Sequence, residues 1–69
     1  MTDSQLDYHL RYHGAARALA DSTVPYEDLV SVAMEQKSSD MERFTMATRE
    51  DIGREARRIR RSRGQRPNQ

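Results

Sequence analysis

The chain has no cysteine and no tryptophan, one phenylalanine, two prolines and three glycines in 69 residues. Without cysteine it can form no disulfide, thiolate metal site or cysteine nucleophile. No stretch approaches the run of about 18 apolar residues that marks a membrane span, so no membrane partner is expected. The opening "MTDSQLDYHL" has no basic segment followed by an apolar run. A secretory signal is therefore not expected, and a cytoplasmic location is the default. With three glycines there is no glycine-rich loop to cradle a phosphate, and no nucleophile–base constellation is visible. No catalysis, cofactor or small-molecule substrate is expected. Leu, Ile, Val and Phe together number ten, below the ~20% share that supports an ordinary core. A chain of this length is one domain at most and buries only about 60% of its unfolded surface. Core borrowed from a second copy or a partner is the natural remedy, so self-association is expected.

What is present is charge, unevenly placed. The net charge is +1, yet residues 1–52 carry ten acids against five bases. Residues 53–69 carry seven arginines against Glu55 alone. The chain is thus a small acidic body with a cationic end, and such asymmetry is more informative than the total.

The periodicity is helical throughout. β-branched residues are few and no run alternates apolar with polar, so strands are not expected. A first helix is predicted over about 4–20, capped by Asp3 or Ser4. On a wheel of 3.6 residues per turn, Leu6, Leu10, His13, Ala20, His9 and Ala16 share one side, widened by Tyr12, Leu19 and Tyr8. Gly14 weakens the helix interior or admits a neighbouring backbone. "DSTVP" at 21–25 is a break, because Pro25 disfavours helix in the residue before it and suits the first turn of the next. A second helix is predicted over about 25–37, with Ser22 or Thr23 as its cap and Tyr26, Leu29, Val30, Ala33 and Met34 on its inner face. The Ser39-Asp-Met-Glu42 pattern resembles a capping box and opens a third helix reaching about 62. Its stripe is Met41, Phe44, Thr45, Thr48, Ile52, Ala56 and Ile59. A rival cap at Thr48-Arg-Glu-Asp51 leaves open a split near 47 into two helices. Residues 64–69 are predicted to be a flexible tail beyond a single helical domain, 1–63. The expected fold is all-α: two or three amphipathic helices in a hairpin or small bundle.

"REARRIRRSRGQR" at 54–66 is the densest feature, with seven arginines in thirteen residues. As a helix it has a narrow seam of Ile52, Ala56 and Ile59 and a broad guanidinium face. Glu50 can pair with Arg54 and Glu55 with Arg58, each pair adding only about 0.2–0.5 kcal/mol. Arginine's planar fork matches phosphate oxygens, and neutralising several phosphates gives salt-dependent affinity. Arg54, Arg57, Arg58, Arg60, Arg61 and Arg63 are the candidate contacts to a nucleic acid or to an acidic protein surface. The run from Arg54 to Arg61 resembles the arginine-rich RNA-binding peptides of the lentiviral Rev and phage N-antiterminator kind, which implies a basic helix reading an RNA hairpin through groove shape and phosphates. Ile59 departs from that pattern by placing a large apolar residue among the arginines, and no aromatic is interleaved for base stacking. "IGREARRIRRSRGQ", Ile52 to Gln65, also resembles the opening helix of phage-repressor helix-turn-helix domains, although the turn and recognition helix do not follow. By size and charge the whole resembles small accessory proteins of phages and plasmids, which bind nucleic acid or inhibit host machinery.

Other features read more plainly. His9 and His13 at i, i+4 share a helix face as zinc-binding histidines do, but a site needs three or four ligands and no glutamate stands between them as in H-E-x-x-H. No metal site is predicted, and a packed or interfacial pair is expected. Tyr8, Tyr12, Tyr26, Met41 and Phe44 join the two histidines as a candidate protein interface. "ARALADSTVPYEDL" has helix-turn-helix length, yet Glu27 and Asp28 would open its second helix against phosphate. Two functions follow as expectations. The first is a small regulatory protein contacting RNA or a DNA backbone through its arginine helix. The second is a protein-interaction module or inhibitor using its apolar helical face, with the arginines docked on acidic residues.

Overall fold

Thr2 begins the first helix with a reciprocal cap. Its hydroxyl accepts from the Gln5 amide at 3.3 Å, and its own amide donates to the Gln5 side chain at 3.1 Å. Helix α1 then runs Asp3–Ala20. The computed structural model describes residues 2–39 and 41–64. At ~1.5 Å per residue, α1 is about 27 Å long.

Ser22 ends α1 rather than capping the next helix. Its hydroxyl donates to the Leu19 carbonyl and accepts from the Val24 amide at 3.3 Å. Pro25 stands extended at φ −58, ψ 147, and a 3-10 turn, Tyr26–Asp28, follows it. Helix α2, Leu29–Glu35, is only seven residues long. A second 3-10 turn, Met41–Arg43, precedes helix α3, Met46–Gly64. The third segment is therefore one long helix with a separate turn before it. Thr45 caps α3 by accepting from the Thr48 amide at 3.3 Å, so neither Ser39 nor Thr48 is the cap. Asp40 of the expected capping box lies outside the described residues, as do residues 65–69 of the expected tail. Gly64 is the last residue of α3.

Among the described residues the chain is all-α, three helices without strands. The Cα envelope measures 39 × 28 × 16 Å, thin enough that one side of every helix faces outward. The core is correspondingly small. Ala16, Leu19 and Ala20 of α1 meet Leu29 and Ala33 of α2, Met41, Phe44, and Ile52 and Ala56 of α3. Among the described residues only Leu29 and Ile52 are large side chains buried completely. Gly53 is where α2 crosses α3. A Cβ there would stand 2.5 Å from the Val30 Cα, a clash with backbone that only glycine avoids.

The inner face of α1 is only part of the predicted one. Tyr12, Ala16, Leu19 and Ala20 pack inward as expected, while Leu6 is 47% and Leu10 64% exposed and His9 and His13 are exposed as well. The reason is direction. Helix α1 packs mainly along α3, which is 19 residues long, and Leu6 and Leu10 lie on the side of α1 turned away from it. The first turns of α1 meet Phe44 and Thr48 through Tyr8, and Arg43 through Asp7 at 3.9 Å.

Candidate functional site

The arginine helix turns out to be bound to its own chain. Arg60 reaches across to the end of α1. Its guanidinium donates to the Ala20 carbonyl at 2.8 Å, to the Ser22 carbonyl at 2.7 Å and to the Val24 carbonyl. Carbonyls at a helix C-terminus have no partner within the helix and carry its negative end, so a planar cation with several donors is well matched to them. Arg63 adds an ion pair with Asp21 beside this cap.

One turn earlier, Arg57 holds the 3-10 turn that leads into α2. It donates to the Tyr26 carbonyl at 3.3 Å and the Glu27 carbonyl at 2.9 Å, and its guanidinium lies 5.5 Å from the Tyr26 ring centre. Arg61 donates to the Tyr26 hydroxyl at 3.0 Å. Arg54 pairs with Glu50 at 2.5 Å and lies 4.0 Å from Asp51. Arg58 makes a two-pronged pair with Glu55, at 2.8 and 2.7 Å. That hydrogen bond holds the Glu55 carboxyl below the usual glutamate range. Partial burial opposes the shift, and the charges of Arg58 and His13 reinforce it.

All six predicted contact arginines thus have partners within the chain, of two kinds. Arg54, Arg58 and Arg63 meet carboxylates that cancel their charge. Arg57 and Arg60 meet neutral carbonyls and Arg61 meets the neutral Tyr26 hydroxyl, which do not. Arg54 and Arg58 are well exposed, with side chains 65% and 68% accessible. Sequence reasoning missed Arg49, which does similar work at the other end of α2. It donates to the Met41 carbonyl at 3.0 Å and the Met34 carbonyl at 3.3 Å. Nothing in the local sequence marks Arg49, since its partners lie 8 and 15 residues away.

The candidate interface residues divide. Met41 and Phe44 are core, and Tyr12 is half-buried against it. Burial pushes the Tyr12 phenol up, helped by the negative charges of Asp51 and Glu55. Tyr8 packs edge-on against Phe44 at 5.5 Å and donates to the Thr48 hydroxyl at 3.4 Å. Tyr26 is 38% exposed under its two arginines. His9 and His13 are exposed rather than packed, their Nε2 atoms 3.1 Å apart, with His13 Nδ1 4.0 Å from Glu55. Among the described residues no group of three or more His, Asp or Glu is arranged to hold a metal ion. No described helix is long and apolar enough to cross a membrane.

One concave feature was invisible in the sequence. Between the C-terminal half of α1 and α2 lies a half-open groove of about 230 Å³. Its walls are mostly apolar, including Ala15, Ala18, Leu19, Val24, Val32 and Met41. The space exists because "AARALA" at 15–20 puts alanines where larger side chains would fill it. Ser22, Gln36 and Ser38 supply polar atoms, and no titratable side chain lines it. No protein-family model, curated protein or solved structure matches the chain.

Proposed function

We infer that the chain is a small non-enzymatic protein-binding module, and that the groove between α1 and α2 seats an apolar side chain of a protein partner. The groove itself carries this reading. Its volume of about 230 Å³ falls below the ~300–1,000 Å³ of small-molecule sites. It also lacks the convergent charged groups that orient a substrate. A mostly apolar concavity of this size suits one anchoring side chain, the unit from which binding hot spots are built. The arginine helix then acts chiefly as a strut that fixes the α1–α2 connection and so shapes one end of the groove.

A second reading keeps the nucleic-acid role, and one observation favours it. Arg57 and Arg60 bond to carbonyls, so their charge is uncancelled and still attracts phosphate at the cationic end of the chain.

Affinity capture from nuclease-treated lysate separates the two readings, using wild type, Ala18→Arg and the pair Arg57→Gln/Arg61→Gln, which removes two charges that no carboxylate cancels. Ala18 is exposed on the groove wall, so Ala18→Arg fills the groove without disturbing the core. The expected result is a protein that survives nuclease, is lost with Ala18→Arg and is retained by the arginine pair. Salt-sensitive RNA or DNA binding that Ala18→Arg leaves intact and the arginine pair abolishes would overturn the protein-binding reading in favour of the second.

A further inference from the structure

The face of α1 opposite the core has no occupant among the described residues, and its pattern specifies one. Leu6 and Leu10 are 47% and 64% exposed and belong to no part of the core cluster. One turn on, Gly14 is exposed, and a Cβ built there would have nothing within 4 Å. Asp3 and Arg17 end the same stripe, at the first and last turns of the helix. Read in order, Asp3, Leu6, Leu10, His13 and Arg17 alternate spacings of three and four, the seam of a two-helix contact.

We propose that this seam pairs with the same seam of a second copy, the two α1 helices running antiparallel about a twofold axis at Leu10. The arrangement is self-complementary, as a twofold interface must be. Leu10 meets Leu10 of the second copy at the axis. Leu6 lies opposite Gly14 of the second copy, where the missing side chain leaves room for it. Asp3 lies opposite Arg17 of the second copy, because both stand seven residues from Leu10. The two aspartate–arginine pairs close the ends. A parallel pairing would instead set Asp3 against Asp3 and Arg17 against Arg17, so charge selects the antiparallel direction.

The groove between α1 and α2 lies on another side of α1 and stays open. A dimer would therefore carry two grooves, and bivalent partners would gain avidity without any new contact. The seam is one helix pair and belongs with interfaces below ~1,200 Å², which are weak and transient. Dimerisation is accordingly concentration-dependent.

The absence of native cysteine makes the test free of background. Sedimentation equilibrium from micromolar to millimolar concentration is expected to show a monomer–dimer equilibrium. Leu10→Glu is expected to raise its dissociation constant by about a hundredfold or more, since two buried leucines are lost per dimer. Circular dichroism of Leu10→Glu at dilution should match wild type, because Leu10 touches no core residue. Under mild oxidation, a mixture of Asp3→Cys and Arg17→Cys proteins is expected to form the mixed disulfide dimer faster than either forms with itself. A monomer at millimolar concentration, a dimer indifferent to Leu10→Glu, or preferential Asp3→Cys self-crosslinking would each overturn the proposal. Groove occupancy in the capture experiment is scored separately, so failure of one inference is distinguishable from failure of the other.

Discussion

Replacing Arg60 by alanine removes a side chain that joins the end of α1, the α1–α2 connection and α3. Three carbonyls lose their donor: Ala20, Ser22 and Val24. That of Ser22 is exposed and water replaces the arginine there at little cost, whereas the bonds to Ala20 and Val24 are part-buried. At about 1–1.5 kcal/mol net for each part-buried bond, the loss is roughly 2–3 kcal/mol. A chain of this length is held by only roughly 3–10 kcal/mol in total. In a domain this small, each ~1 kcal/mol moves the melting temperature by about 4–8 °C, so Arg60→Ala should melt roughly 10–20 °C below wild type. Arg60→Lys keeps the charge but places one ammonium where a planar fork spans three acceptors, and it should recover less than about half of the loss. The assay is thermal and urea unfolding followed by circular dichroism, with Arg54→Ala as the exposed control, expected to melt close to wild type. If Arg60→Ala melts with Arg54→Ala, the cap contributes nothing and the account of the arginine helix as a strut is wrong.

Other outcomes follow from the same geometry. Gly53→Ala should destabilise by about 1–3 kcal/mol because its Cβ would meet the Val30 backbone. Gly14→Ala, in open space, should stabilise the monomer by up to about 1 kcal/mol through helix propensity, read by melting at dilution. Thr45→Ala removes the acceptor for the Thr48 amide and should cost about 1 kcal/mol in urea unfolding. Glu55 has its carboxyl lowered in the fold, first by the Arg58 hydrogen bond. Its contribution is fully present above the ordinary glutamate range and is lost as pH falls through that range toward the folded value. Melting temperatures from neutral to acid pH should therefore fall less steeply for Glu55→Gln than for wild type across that window.

The positions of the helices were legible because local chemistry sets them. Pro25 forces the break after α1, and the run from Ile52 to Ile59 has the spacing of a helix with one buried side. The identity of the buried stripe on α1 was less legible. Leu6 and Leu10 are as hydrophobic as the buried Leu19 of the same helix, and periodicity alone draws them inward. Which stripe is buried depends on where α2 and α3 lie, and the side of α1 that carries Leu6 and Leu10 faces neither. The cap of α3 was mislocated for a related reason: Ser39, Thr45 and Thr48 all have side chains able to accept an amide, and only the path of the chain chooses Thr45.

The arginines mark the boundary between what sequence and structure each determine. That positions 54–63 form a helix with an apolar seam follows from composition and spacing, since Ala56 and Ile59 continue the stripe through Ile52. The dense charge follows as well. Where that charge is directed does not. Arg60 caps a helix 40 residues earlier in the chain, and Arg57 and Arg61 converge on Tyr26, 31 and 35 residues away. A guanidinium bonds equally well to a phosphate, a carboxylate or a backbone carbonyl, so the residue type alone cannot name its partner. Only the packing of α3 across the end of α1 brings those carbonyls within reach.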